Sequence, residues 1–160
     1  MSLWLRRMDD RVFEMTSSQR KTEHSVITKD ADIRRILSSA RTIAVVGASP
    51  KPWRDSGSIA MFLIEKGYIV YPVNPNYQEV YGVKCYPNIK SIPEKIDIVD
   101  IFRKSEEVKP IIDEAIAVGA KCVWMQLGVV NERAATKANM AGVKVIMDRC
   151  IAIEHRALMR

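Results

Sequence analysis

From Thr42 onward the hydrophobic residues fall into short continuous blocks, and each block is followed by a polar turn and an amphipathic stretch. Ile43–Val46, Tyr68–Val73, Ile96–Phe102, Cys122–Gln126 and Val143–Met147 read as strands. They are predominantly apolar runs rather than alternating ones, as expected when helices cover both faces of a parallel sheet. Gly67, Gly119 and Gly142 stand just before three of these strands, where a helix ends and the chain needs a left-handed residue. After IDIVDIF, residues Val108, Ile111, Ile112, Ala115 and Val118 form the stripe of a helix, with Pro110 expected in its first turn.

The segment Asn74–Pro93 carries Pro75, Gly82, Pro87 and Pro93 and reads as loop with one short strand. Asp30–Ser38 predicts an amphipathic helix. Met1–Thr16 predicts an outer helix whose Trp4, Met8 and Val12 face the core rather than a membrane. The expected organisation is a helical arm over residues 1–28 and one domain over residues 29–160, with no linker between domains. Alternating strands and helices with short connections predict a single doubly wound α/β domain, its sheet mostly parallel and its crossovers right-handed. Such sheets bind ligands beyond the carboxyl ends of their strands, at the topological switch point. That rule selects the loops after Val46, Val73, Phe102 and Gln126.

Composition adds constraints. A chain of 160 residues, 48% hydrophobic and 28% charged, has the make-up of one soluble globular domain. No apolar run approaches the ~20 residues of a bilayer span. Leu3–Leu5, broken at once by Arg6, is too short for a signal-peptide core, so the expected compartment is the cytoplasm. Cys85, Cys122 and Cys150 are odd in number and lack C-x-x-C spacing, which argues against a disulfide framework or zinc; His24 and His155 are too isolated to alter that. The net charge of +6 suits a polyanionic ligand. It does not suit nucleic acid: no Lys/Arg block exceeds two residues and no nucleic-acid-binding motif is present.

The first loop, GASPKPWRDSGS, opens like a phosphate-binding turn but keeps only its first glycine, with Ser49 and Pro52 where further glycines would stand. Gly47 makes the turn, Ala48 and Ser49 allow close backbone approach, and Ser56 lies near a helix start that favours an anion. Arg54 adds a fork for a phosphate. The second loop has Asn74-Pro75 where an NAD site would carry a carboxylate, and no arginine between Arg54 and Arg103 suits NADP. Asn74 is placed for a ribose or base edge and Pro75 for the face of an adenine. The third loop sets Phe102 beside Arg103, an apolar surface next to a phosphate partner. The fourth, MQLGVVNE, ends a strand at Gln126, turns at Gly128 and caps the next helix with Asn131.

Taken together, G-A-S-x-x-P-x-R-x-S, G-Y-x-V-x-P-V-N-P, I-D-x-V-D-x-F-R, A-K-x-V-W-M-Q-L-G and D-R-C-I-x-x-E-H resemble the small stand-alone CoA-binding proteins. Those are similar to the Rossmann-like CoA-binding domain of the succinyl-CoA synthetase α-subunit. The resemblance runs from about Arg34 to Leu158. It implies a Rossmann-like domain that binds coenzyme A, with Gly47, Ala48, Ser49, Pro50, Arg54 and Ser56 on the pyrophosphate. It puts Asn74 and Pro75 by the adenosine, Phe102 and Arg103 flanking the nucleotide, and Gln126, Leu127 and Gly128 closing the pocket.

Three functions follow for comparison. A CoA-binding protein without chemistry of its own, taking CoA or an acyl-CoA, accounts for all four loops. A CoA-binding subunit of an acyl-CoA synthetase would need a partner chain, since neither histidine lies in the loops and the EHR run around His155 reads as solvated charge. An NAD(P) oxidoreductase has the fold class but not the loops. Cys150, beside Arg149 and a helix start, is a candidate reactive thiol set against a half-buried structural one. The sequence excludes nucleic-acid and membrane partners and leaves both a homo-oligomer and a partner subunit open.

Overall fold

The computed structural model describes residues 25–160, so the helix expected over Met1–Thr16 lies outside the described residues. Helix α1 (Asp30–Ser39) has Asp30 and Asp32 in its first turn, where carboxylates complement the helix dipole, and it buries Ile33, Ile36 and Leu37. Strand β1 (Thr42–Val46), helix α2 (Asp55–Glu65) and strand β2 (Ile69–Val73) form the first crossover unit. A hairpin of β3 (Glu79–Val80) and β4 (Val83–Lys84) follows, then a 3-10 turn at Ile89–Ser91. The second half runs β5 (Ile98–Ile101), a 3-10 turn at Ser105–Glu107, α3 (Val108–Ala117), β6 (Cys122–Met125), α4 (Glu132–Met140), β7 (Lys144–Ile146) and α5 (Ile151–Leu158).

The sheet order is β2-β1-β5-β6-β7, with every pair parallel, which is the doubly wound architecture the strand–helix alternation predicts. Beyond β2 stands a single parallel bridge, Val73 to Tyr86. Tyr86 donates to the Pro72 carbonyl and accepts from the Asn74 amide, both at 2.9 Å. Pro87 follows it without an N–H, so this sixth position of the sheet is one residue long. Apart from β1, the strands are shorter than the apolar runs that predict them. Where one short strand is expected between Asn74 and Pro93, there is a hairpin whose tip, Tyr81-Gly82, has two successive left-handed residues (φ 50° and 77°).

Alternate strand residues feed two cores. One lies under α1, α2 and α5 and is filled by Leu37, Ile43, Leu63, Trp124, Ile146 and Ile151. The other lies under α3, α4 and the turn at Ile89–Ser91, and includes Ile101, Ile112, Met125, Ala135 and Val145. His155 belongs to the first core and not to solvent: it is 8% exposed, edge-on to Phe62 and Tyr68 at 5.4 and 5.8 Å between centroids. Its place on the inward side of α5, not the charges beside it, decides its burial. That burial, with Lys66 nearby, lowers its pKa.

Two aspartates three residues apart titrate in opposite directions. At the amino end of the sheet, Asp97 accepts from the Arg41 and Thr42 amides at 2.7 and 3.1 Å and pairs with Lys121 at 3.2 Å. Burial alone would raise its pKa, but the two backbone amides and Lys121 prevail and hold it below the ordinary value. Asp100 sits in β5 between Val45 and Trp124, fully buried, with neither carboxyl oxygen hydrogen-bonded. Burial there pushes the carboxyl well above the ordinary value, favouring its protonated form.

By linkage, Asp97 contributes stability above the ordinary aspartate pKa of 3.8 and loses it as pH falls below that value. Asp100 does the reverse: its contribution is present below 3.8 and disappears as pH rises. Thermal melts between pH 3 and 7 check both. Asp97→Asn should melt below wild type at pH 7, by an amount that shrinks toward pH 3. Asp100→Asn should gain on wild type steadily from pH 4 to 7.

Candidate functional site

At the carboxyl ends of β1, β5 and β6 the first, third and fourth loops enclose a cleft of about 570 Å³, within the range of small-molecule sites. Its position is the switch point, where β1 leads outward to β2 and β5 leads the other way to β6. The loops are packed backbone to backbone. Gly47 has φ 87°, and a Cβ there would lie 2.2 Å from the Phe102 carbonyl oxygen. Only glycine lets the two loops approach this closely. The ladder continues into both: Gly47 N–H donates to Val73 O and Phe102 N–H to Val46 O, each at 2.9 Å.

The first loop folds over the start of α2. Arg54 is the residue before the helix, exposed, and Ser56 in the first turn is buried. Ala48 and Ser49 are buried behind the cleft; the Ser49 hydroxyl accepts from the Lys51 amide at 3.2 Å. A second close approach occurs at Gly57, where a Cβ would meet the Ser49 carbonyl oxygen and the Tyr81 ring, each at 2.7 Å. The glycine absent from the turn has a counterpart inside the helix. Tyr81, brought over α2 by its hairpin, has no signal in the sequence, because the contact depends on where a remote hairpin docks.

Asn74 is a strut in this structure. Its amide donates to the Ala48 carbonyl at 2.9 Å and its side-chain oxygen accepts from the Asn76 amide at 2.9 Å. Both groups are thus used within the protein, and the end of β2 is tied to the first loop. In the third loop Phe102 and Arg103 are half-buried and Lys104 is exposed. Arg54, Arg103 and Lys104 line the cleft and take part in none of the ion pairs among the described residues, although Asp55 and Glu107 share the same lining.

The fourth loop is pinned along its length. Gln126 is buried and accepts from the Ile151 amide at 3.0 Å, anchoring the start of α5. Gly128, at φ 85°, donates to the Asp148 carboxylate at 2.7 Å. Val129 N–H reaches Gln126 O at 2.8 Å and Val130 N–H reaches the Ser105 hydroxyl at 3.0 Å. Asn131 caps α4 through the Ala134 amide at 3.0 Å, as its sequence position predicts. The D-R-C-I-x-x-E-H run is the buckle behind this loop. Arg149 pairs with Glu154 at 3.2 Å and donates to Thr28 O at 3.1 Å, while Trp124 Nε1 donates to Arg149 O at 2.8 Å.

Of the residues expected at the site, Gly47, Arg54, Ser56, Phe102, Arg103, Gln126 and Leu127 line the cleft. Ala48, Ser49, Pro50, Asn74, Pro75 and Gly128 do not line it. Trp53, Lys104 and Val129 line it without having been singled out by sequence; Trp53 and Lys104 adjoin Arg54 and Arg103, and that adjacency was the available signal. Among the described residues no histidine or cysteine is in the lining. Cys122 is buried and its thiol pushed up to about 12, Cys85 is also pushed up by burial, and Cys150 is half-buried at the residue preceding α5. Among the described residues no cluster of three or more His, Cys, Asp and Glu is placed to hold a metal, and no helix is long and apolar enough to cross a membrane. What the cleft offers chemically is a backbone turn, a helix start, three cations and apolar walls.

Comparison with known proteins gives this arrangement its context. A family model described as a CoA binding domain matches residues 41–156. The chain is 40% identical over 125 residues to the uncharacterized protein YneT of Bacillus subtilis, covering 78% of this chain and 93% of that one. A solved structure of a hypothetical protein from Pyrococcus horikoshii superposes with a TM-score of 0.81 at 47% identity, covering 83% of this chain and 94% of that chain. An ADP-forming acetate–CoA ligase of Archaeoglobus fulgidus is 28% identical over 123 residues, which is 71% of this chain but 18% of the ligase.

Substitutions at the two close approaches test the loop packing. Gly57→Ala would stabilise an ordinary helix, yet the Ser49 carbonyl leaves no room for the methyl. A loss of about 1–3 kcal/mol is expected from the overpacking. Gly47→Ala should lose more, since the left-handed backbone adds about 1–2 kcal/mol to the clash. Urea denaturation of both variants measures the two losses and their order.

Proposed function

The chain belongs to the CoA binding domain family, and from that premise we propose that it binds coenzyme A in the cleft at the β1–β5 switch point without catalysis of its own. The observation that carries the proposal is the convergence there of Gly47, the start of α2 with its buried Ser56, and three cations that take part in no ion pair among the described residues. Free amides and the dipole at a helix start favour phosphate, and guanidinium groups bind it as charge-assisted forks. In this reading Gly47, Ser56 and Arg54 face the pyrophosphate, Phe102 and Arg103 flank the nucleotide, and Gln126 to Gly128 form the far wall. Ala48, Ser49, Asn74 and Pro75 act from behind as the frame of the turn. The absence of a carboxylate at the end of β2, where Asn74 is spent on Ala48, disfavours a ribose-binding NAD site.

The reading takes residues 1–28 as an arm and 29–160 as the binding domain of a cytoplasmic protein. Ile27, whose amide donates to Val145 O at 2.8 Å, is then the point where the arm meets the edge of β7. A second reading, a CoA-binding subunit of an acyl-CoA ligase, is favoured by one observation: the acetate–CoA ligase relative contains a matching region within a much longer chain. That function would require a partner to supply the catalytic groups this cleft lacks.

A thermal-shift panel tests the cofactor. A ligand that binds only the folded state stabilises it by about 2.7 kcal/mol at a hundred times its Kd, and about 2–4 °C of Tm accompany each kcal/mol in a domain of this size. CoA at that level should therefore raise Tm by about 5–11 °C. NAD and NADP at equal concentration should do almost nothing; a larger shift with either than with CoA would put the oxidoreductase reading in its place. Arg54→Ala should weaken CoA binding by about 1.5–3 kcal/mol if the guanidinium meets a phosphate, measured by titration calorimetry. An unchanged affinity would remove Arg54 from the site.

A further inference from the structure

The cleft is chemically divided in a way that a polar cofactor alone does not explain. Arg54, Arg103 and Lys104 supply cations, but the same lining contains Trp53 and Leu127, which are 73% and 66% exposed. Among the described residues these are two of the three most exposed large apolar side chains; the third, Met140 at 72%, stands apart on α4. Isolated apolar residues on a surface need no account, whereas apolar residues gathered at a concave, cationic site do.

Leu127 is not exposed through looseness. It sits between Gln126 and Gly128, whose contacts to Ile151 and Asp148 fix the backbone on either side, and the Val129 and Val130 amides are bonded as well. The fold uses four hydrogen bonds to hold this side chain out in water. Trp53 is presented from the opposite loop, where the Arg54 amide donates to Lys51 O at 3.0 Å and the Lys51 ammonium lies 5.8 Å from the indole centroid. Phe102 and Val129 extend the apolar lining inward. A pantetheine arm is a chain of amides that calls for hydrogen-bond partners, and Leu127 and the indole face provide none. Hydrocarbon is what such surfaces cover well.

Resting on the reading of the cleft as a CoA site, we propose that its ligand class is a CoA thioester carrying an apolar acyl chain of several carbons, the chain lying against Trp53 and Leu127. The cations hold the phosphates while the exposed pair recognises the acyl group, so the protein discriminates loaded from free CoA. The charge complementarity of the head group fixes which end of an amphipathic ligand lies where.

The test is an affinity series from free CoA through acetyl-, butyryl-, hexanoyl- and octanoyl-CoA, by calorimetry on the full chain. Covering a methylene completely strengthens binding about fourfold, so Kd should fall by roughly two- to fourfold for each methylene until the pair is covered. Octanoyl-CoA should also shift the Trp53 emission to shorter wavelength, and Trp53→Phe should abolish that shift. In Leu127→Ser the ratio of octanoyl-CoA to free CoA affinity should move toward one, with wild-type Tm confirming the fold. Tight binding of free CoA with a flat series, or an unmoved Trp53 emission at saturation, overturns the acyl assignment and leaves the CoA reading standing. If neither CoA nor any thioester binds, the CoA reading itself fails and this inference falls with it.

Discussion

The approach of Gly47 to the Phe102 carbonyl is the contact on which the site depends. It joins the ends of β1 and β5 at the place where the chain turns in opposite directions, and no side chain fits between them. Because the loops touch there, the start of α2 and the Phe102-Arg103 pair face a common space instead of diverging. The second close approach, at Gly57, seats the helix on the Ser49 carbonyl and brings Tyr81 over its first turn. Asn74 completes the frame by tying Ala48 to the end of β2. Apart from the Tyr81 ring, each contact is backbone-to-backbone or a buried amide, so the shape of the turn is built into the fold.

The two ends of the sheet have different tasks. At the amino end, Asp97 gathers the Arg41 and Thr42 amides and Lys121, closing the sheet with charge satisfied within the protein. At the carboxyl end the cations of the cleft take part in none of the ion pairs among the described residues. The run from Asp148 to His155 belongs to the scaffold: Asp148 and Arg149 hold the fourth loop and the start of α5, and His155 fills the core beneath it.

The layout of the fold was legible because every main strand is a predominantly apolar run and each helix between them ends at a glycine. The switch-point rule then located the loops, and seven of the expected residues do line one cleft. What the sequence could not reveal was which side of a loop a residue faces. Asn74 looked available for a ligand because a strut and a ligand group have the same chemistry; the structure shows its amide bonded to the Ala48 carbonyl. His155 looked solvated beside Glu154 and Arg156, whereas helical rotation turns it inward and those two neighbours outward or aside. Tyr81 and Gly57 were silent because their contact joins residues brought together only by the docking of a hairpin.

Amide chemical-shift mapping with labelled protein and CoA addresses the central claim most directly, since it reports where the ligand sits without presuming any residue. The account predicts that the largest changes fall on Gly47, Ser56, Gly57, Arg103 and Gly128, around the start of α2 and the loops at the carboxyl ends of β5 and β6. Changes concentrated at the opposite end of the sheet, around Ser39, Asp97, Lys121 and Lys144, would contradict it.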